Sequence, residues 1–446
     1  MSKPPEIFPF GLGYISGVLL EAGHEVDVLD INAKRIPEDI VLKKIKESDY
    51  DIIGIGGLIT TYKYVKWLTH EIKKIKPKTK IVLGGGVGAA IPELAFEKMN
   101  TDFIVMGEGE ITITELLDKI DKPNSVKGIC YKENGVVHRT PERELIKDLD
   151  TIPFPAWDSF PMDIYTRPIS RSGWVKRSDM LYGRGCPFMC TFCWHNFGHT
   201  NRLRSNDNVI EEIKLLKDKY DIKYIEFDDD CITTNREHLI EFCNRMMEEK
   251  LGLKWECSSR VNLIDEEMLR IMKKAGCNNI TYGIESGSQK MLNSMRKGTT
   301  VEQGKRAIEL TKKVGMRPHA GFMVGTVGET KETIQETVKF WKDINIASQR
   351  MEIFFTTPFP ATQLYNYAKE RGLIKNEDKY IEKLGDVADF TINLTDMSDE
   401  ELMNLRNQAV KECDISLVKW AYDYYRCFGG LSLIKSGIDK LKKGKI

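Results

Sequence analysis

GCPFMCTFCW, residues 185–194, places three cysteines, Cys186, Cys190 and Cys193, within eight residues. The C-x3-C-x2-C spacing supplies three thiolates and leaves one coordination position open. Iron–sulfur clusters are held by cysteine thiolates, four in the ordinary case, so three protein ligands leave one iron free to bind and activate another molecule. Structural zinc is the other use of closely spaced cysteines, and His195 offers a fourth ligand for it. Zinc knuckles, however, pair one C-x2-4-C hairpin with a second ligand pair further along. Here all three thiols fall in one segment between an expected strand, MLYGRG, and a polar loop. Pro187, Phe188 and Phe192 suit a tight apolar loop around a cluster, or plain packing.

Size and charge bound the remainder. At 446 residues the chain is long enough for two or three domains with their own cores. Lys plus Arg equals Asp plus Glu at 66 each, so no global basic field argues for nucleic acid. Ten cysteines without a signal peptide point to a reducing cytoplasm, where thiols stay reduced or bind metal. No apolar run approaches the ~20 residues of a membrane span.

The first 125 residues or so alternate short apolar strands with amphipathic helices, the pattern of a doubly wound parallel sheet. GLGYISGVLLEAG reads as a helix ending at Gly23, and HEVDVLDI as a strand; DIIGIGGL, KIVLGGG and DFIVMGEG are further strands, each ending in glycine. In open α/β sheets ligands bind beyond the carboxyl ends of strands, where glycine lets backbone approach a large cofactor. Tight turns with no ligand are the plainer reading of any one such loop. GxGxxG is absent after the first strand, which disfavours a dinucleotide enzyme. Residues 126–177 read as a connector: a GICYKENGVVHRT hairpin, then the proline-rich TIPFPAWDSFPMDIYTRP, in which Trp157 and Phe160 pack.

From 178 to 365 the alternation resumes. Expected strands are MLYGRG, YIEFDDD, WECSSRVN, ITYGIESG, RPHAGFMVG and RMEIFFTTPF, separated by helices such as NVIEEIKLLKDKY, NREHLIEFCNRMMEE and DEEMLRIMKKAG. Six β/α units imply a partial (β/α)6 TIM-type barrel, whose chemistry sits at the carboxyl ends of its strands. Asp228, Asp229 and Asp230 fall at one such end, either as ligand carboxylates or as a cap for the next helix. Residues 366–446 form a charged helical carboxyl-terminal region in which Ser398 is a plausible cap. SLIKSGIDKLKKGKI at the end is basic, mildly amphipathic and best read as a solvated tail. Cys130, Cys231, Cys243, Cys257, Cys277, Cys413 and Cys427 make no second cluster and suit buried apolar positions. With no cysteine before Cys130, a methylthiotransferase architecture is not expected.

GCPFMCTFC, with Phe192 directly before the third cysteine, resembles the cluster loop of the radical S-adenosylmethionine superfamily. The resemblance implies a [4Fe-4S] cluster on Cys186, Cys190 and Cys193, whose unique iron chelates S-adenosylmethionine and whose electron cleaves it to a deoxyadenosyl radical. It further implies S-adenosylmethionine contacts from Phe192, Asp228, Asp229, Ser258, Arg260, Glu285, Ser286 and Ser288. GFMVGTVGET resembles the family's adenine edge, and FFTTPFPAT its closing strand and turn. Residues 8–117 resemble the cobalamin-binding domain that precedes many such barrels. Contacts are implied there from Thr60, Gly85, Gly86, Val87, Pro92, Gly107, Glu108 and Gly109. No histidine context matches D-x-H-x-x-G, and His24 in GHEVD fails it, so any cobalamin is expected without a histidine ligand. The resemblance also expects a complete first strand ahead of Pro4 and Pro5. Either translation starts upstream, on this reading, or the sheet lacks a strand.

The expected activity is methylation of an unactivated carbon by a cobalamin-dependent radical enzyme, served by an external flavodoxin- or ferredoxin-like electron donor. The alternatives are an oxidative cyclase, ring-rearranging or lipid C–C coupling enzyme with the same domain pair, or a noncatalytic cobalamin- or metal-binding module. No motif names the substrate, whether small molecule, peptide or lipid.

Overall fold

A computed structural model describes residues 7–169, 171–346, 352–385 and 389–413. The basic tail and Cys427 lie outside the described residues. The chain divides into two compact units, Met1–Tyr165 with Phe192–Gly198 and Pro358–Asp386, and Thr166–Thr191 with His199–Thr357 and Val387–Ile446.

The first unit is built on five strands: β1 (Ile52–Gly56), β2 (Lys80–Gly84), β3 (Phe103–Val105), β4 (Ile129–Glu133) and β5 (Val136–Arg139). They lie side by side in that order, β1 to β3 parallel and the last two added antiparallel. The hairpin expected in a connector therefore continues the first sheet. Helix Phe10–Glu21 ends ahead of Gly23, whose φ of +86° suits glycine, as its sequence implies. Val82, Phe103, Val105, Ile113, Leu116, Val126, Ile129 and Tyr131 form the core beneath it. Helix Tyr62–Ile75 buries Tyr62, Val65, Leu68, Thr69 and Ile72, a stripe at three and four spacing. Residues 358–386 join this unit through a polar clasp: Tyr62 OH donates to Asp378 at 2.6 Å and Lys66 Nζ pairs with Asp378 at 2.8 Å and Glu382 at 3.0 Å. Among the described residues HEVDVLDI is not a strand: residues 24–30 have no ladder partner there, and Ile31–Lys34 turns helical behind an Asp30 cap. Alternating valines favour an extended segment, but a strand also needs a neighbour to bond.

In the second unit, β6 (Arg177–Met180) precedes a small antiparallel pair, β7 (Gly183–Arg184) with β8 (Arg202–Leu203). Then come β9 (Tyr224–Phe227), β10 (Lys254–Ser259), β11 (Cys277–Glu285), β12 (Arg317–Val324) and β13 (Glu352–Phe355). β6 and β9 to β13 make one six-stranded, all-parallel sheet in the order β13-β12-β11-β10-β9-β6, the expected half barrel. Its first strand is RSDM rather than MLYGRG, three residues earlier than expected. Helices Asn206–Tyr220, Arg236–Glu248 and Glu266–Lys274 lie between strands as read from sequence, each with a side-chain cap from Ser205, Asn235 or Asp265. Helix Asp399–Glu412, capped by Ser398, ties to the barrel through Arg406 Nε to Ile353 O at 3.1 Å and Lys342 to Glu412 at 3.0 Å.

TIM-type barrels ordinarily fill their interior with branched apolar side chains. Here the lower interior is ionic. Arg177 pairs with Asp179 and, at 2.8 Å, with Glu226; Arg171 pairs with Glu226 and, at 3.0 Å, with Glu256. Tyr224 OH and Asn279 Nδ2 both donate to Glu256, at 3.0 and 2.6 Å. Buried carboxylates are tolerable only when neutralised and hydrogen-bonded in this way.

Candidate active site

The cysteine loop leaves the end of β6 and is held there by Asp229. The backbone N–H of Tyr182 donates to its two carboxylate oxygens at 2.9 and 3.0 Å, and the N–H of Gly183 donates to Oδ1. Asp229 thus anchors the chain leading into the loop, a role beyond the ligand carboxylate or helix cap expected of it. Burial pushes its pKa up to about 7, against the pull of those two N–H groups.

Further along the loop, Cys186 is half-buried and Cys190 buried. Arg260, just beyond β10, brings Nη1 to 3.5 Å from Cys190 Sγ and its guanidinium carbon to 3.6 Å from the Phe188 ring centre. Its Nη2 donates to Lys297 O, and the N–H of Thr191 donates to Met295 O at 3.0 Å. Arg260 Nε is buried without an acceptor. Burial raises the pKa of the Cys186 thiol, the Phe188 N–H opposes this, and nearby Cys231, Asp230 and Cys190 add to the rise. A thiol that binds metal must lose its proton, so a cation beside this loop matters.

Lys297, which no sequence signal singles out, forms a nearly buried ion pair with Glu285 at 2.7 Å. Glu285 closes β11 in the left-handed region, φ +68°, next to a register shift at Gly283. Ser286 Oγ and the N–H of Gly287 bond to Thr337 Oγ1, both at 3.0 Å, so Ser286 ties the loop to helix Lys331–Ile344. Ser288 Oγ and Asp228 Oδ2, by contrast, are buried without partners among the described residues, and Ser258 lies half-buried at the end of β10.

Phe192 and Cys193 begin the segment that groups with the first unit, and Cys193 is exposed. There Trp194 stands where a Cβ on Gly86 would meet it at 3.4 Å. Gly85 has φ +68° and ψ −165°, a conformation open essentially to glycine alone, and Gly57 O lies 3.0 Å from where its Cβ would sit. Val87 is fully buried and bonds Gly57 O at 3.1 Å; Thr60 lies in the adjoining turn, and Pro92 opens helix Pro92–Lys98. Gly107 has φ +68°, and a Cβ on Gly109 would strike Ile15. Glu108 accepts the Ile146 N–H at 2.7 Å, an internal role that sequence did not suggest.

Among the described residues no three His, Cys, Asp or Glu side chains gather closely enough to hold a metal ion, the three thiols of this loop included. The donor set itself, three thiols with a guanidinium against one of them, suits an iron–sulfur cluster.

A six-strand parallel half barrel with a three-cysteine loop after its first strand is the framework of a radical S-adenosylmethionine enzyme, and comparisons with known proteins agree. Residues 180–340 match the Radical SAM superfamily and residues 4–117 the B12 binding domain. The chain is 37% identical over 373 residues to the uncharacterized methyltransferase PH0819 of Pyrococcus horikoshii, covering 82% of this chain and 79% of that one. It is 32% identical over 387 residues to the anaerobic magnesium-protoporphyrin IX monomethyl ester cyclase of Rubrivivax gelatinosus, covering 83% and 68%. Among solved structures, the radical S-adenosylmethionine methyltransferase TsrM of Kitasatospora setae, with tryptophan and an S-adenosylmethionine analogue bound, superposes with a TM-score of 0.69. The identity is 18%, over 83% of this chain and 76% of that one. The chain belongs to the radical SAM superfamily, in its group with an amino-terminal B12 binding domain, as the cysteine run and residues 8–117 led us to expect.

Proposed function

We propose that this enzyme is a cobalamin-dependent methyltransferase acting at an unactivated carbon. The observation that carries the reading is the 37% identity, over four fifths of the chain, to a relative named as a methyltransferase. The domain pair supports it. In this reading Cys186, Cys190 and Cys193 hold a [4Fe-4S] cluster, and Phe192, Arg260, Glu285 and Ser288 receive S-adenosylmethionine. The glycine edge at Thr60, Gly85, Gly86, Val87, Pro92, Gly107 and Gly109 receives cobalamin with no histidine ligand. The functional division is 1–125 for the corrin, 126–177 as connector, 178–365 for the radical barrel and 366–446 as the helical carboxyl-terminal region. When bound, the cluster supplies the electron that cleaves the sulfonium, and the corrin supplies the methyl group.

The chain's own residues do the positioning. Arg260 clamps Phe188 and Cys190, Asp229 fixes the approach to the loop, and the Glu285–Lys297 pair holds the end of β11. Gly85 and Gly107, exposed and both at φ +68°, leave backbone open for close approach. An external flavodoxin- or ferredoxin-like donor and a cytoplasmic setting belong to the same proposal. Among the described residues no helix is long and apolar enough to cross a membrane.

Anaerobic reconstitution tests this. The wild type should form 5′-deoxyadenosine and S-adenosylhomocysteine, and Cys186→Ala should form no deoxyadenosine. Wild-type protein that forms none overturns the radical reading. The 32% identity to a cyclase favours a second reading; deoxyadenosine without S-adenosylhomocysteine or methylcobalamin would select it.

A further inference from the structure

Two layers of the half-barrel interior differ in one respect. In the lower, ionic layer the carboxylates of Glu226 and Glu256 are both paired with guanidinium groups. In the layer directly above, the Asp228 carboxylate pairs with no guanidinium among the described residues, and Asp228 Oδ2 and His319 Nε2 join Asn279 Oδ1 of the lower layer as buried atoms without a hydrogen-bond partner. The strand registers define this second layer. Met180 pairs with Phe227, Phe227 with Cys257, Cys257 with Ile280 and Ile280 with Pro318, so the next residues form one lateral row: Asp228, Ser258, Thr281 and His319. The last two pairs, Ser258 with Thr281 and Thr281 with His319, are direct register partners. Side chains alternate along a strand, so these four share the inner face with Glu226, Glu256 and Asn279 below them.

Asp228 Oδ2 and His319 Nε2 are buried with no hydrogen-bond partner among the described residues, one at each end of the row. Ser258 and Thr281 put half-buried hydroxyls between them. Arg171 acts electrostatically on both Asp228 and His319. Burial first, then Arg317 and Arg171, hold His319 neutral, leaving it one N–H to give and one lone pair to accept. Above the row, a Cβ added to Gly321 would meet no atom within 4 Å, so open space adjoins His319. Buried polar groups are rarely left unsatisfied unless something else completes them.

We propose that this row is the enzyme's substrate-recognition subsite and that it takes a polar small molecule bearing hydroxyl or amine groups. Asp228 accepts from one such group, and His319 exchanges a hydrogen bond with another. A lipid chain or a bare aromatic face would leave both groups unsatisfied. The inference rests on the radical enzyme reading above and adds the class of substrate to it.

The test uses anaerobically reconstituted holoenzyme whose deoxyadenosine formation has been verified, so that failure of the radical reading shows separately. Glucosamine, myo-inositol, palmitate and naphthalene serve as probes, followed by saturation-transfer NMR and equilibrium binding. Glucosamine or inositol should bind, and His319→Leu and Thr281→Val should each weaken that binding at least tenfold. Both variants should keep their iron content and their affinity for S-adenosylmethionine, and His319→Gln should recover part of the lost binding. Binding of palmitate or naphthalene alone overturns the inference. So does the absence of binding by either hydroxyl-bearing probe, or probe affinities that neither variant alters. Loss of S-adenosylmethionine affinity in His319→Leu would assign the row to that cosubstrate and also sink the inference.

Discussion

Arg260 stacks on Phe188 and reaches Cys190 Sγ at 3.5 Å, so a single side chain from the end of β10 grips two residues of the cysteine loop. A hydrogen bond involving a charged group contributes about 1.5–3 kcal/mol, which corresponds to roughly a tenfold effect or more. Arg260→Gln should therefore slow deoxyadenosine formation at least tenfold. Arg260→Lys should recover little of it, because an ammonium keeps the charge but cannot stack on Phe188 while also reaching Lys297 O. Iron content and single-turnover rates measure both. A lysine variant at the wild-type rate would reduce Arg260 to a bulk charge.

Particular residues show why some of this was legible and some was not. The cysteine spacing is local in sequence, so it reads directly. Strands at Tyr224, Trp255, Ile280 and His319 were visible because apolar residues alternate or run together there. RSDM was hidden because Arg177 and Asp179, at 2% and 1% exposure, are as buried as any leucine. They pair with each other along β6, and Arg177 also with Glu226 on β9, and hydropathy cannot register a charge that is neutralised by its neighbours. HEVDVLDI failed in the opposite sense, its pattern favourable but with no ladder partner among the described residues. The resemblance implied cofactor contacts from Asp229 and Glu108, and Asp229 also read as a helix cap; backbone N–H groups distant in sequence engage both carboxylates, which no local pattern signals.

The Asp229 anchor carries a pH signature. Burial raises its pKa from the ordinary 3.8 to about 7, so the folded state holds a proton that the unfolded chain releases. Its contribution to stability is full below about pH 4 and is lost as the pH rises through about 7. Asparagine keeps an acceptor for Tyr182 and Gly183 but does not titrate. The melting temperature of the wild type relative to Asp229→Asn should therefore fall by several degrees between pH 4.5 and 8. A flat difference would refute the assignment. Asp229→Leu should be worse at every pH, since each buried N–H left without an acceptor costs about 1–3 kcal/mol.

Gly85 tests the glycine edge independently of the barrel. An alanine there must hold φ +68° and ψ −165° with a carbonyl oxygen 3.0 Å from its Cβ. Strain of this kind costs about 1–3 kcal/mol. Gly85→Ala should lower cobalamin loading, read from the corrin absorption of reconstituted protein, while iron content stays at the wild-type level. Equal loading of the two proteins would remove this turn from the corrin site.

The ion pair between Glu285 and Lys297 sits with side-chain exposures of 13% and 8%, and Arg260 bonds the Lys297 carbonyl from the other side. Removing one partner of such a pair leaves a charge with little water around it, at a cost of about 3–5 kcal/mol. Removing both together costs far less. Lys297→Met and Glu285→Gln should each lower the melting temperature markedly, and the double variant should regain most of that loss. A double-mutant cycle isolates the coupling from other effects. Affinity for S-adenosylmethionine then separates two roles for Glu285. If the carboxylate only holds the end of β11, the double variant should bind the cosubstrate nearly as well as the wild type. If it also contacts the cosubstrate, as proposed, affinity should stay low even where stability has returned.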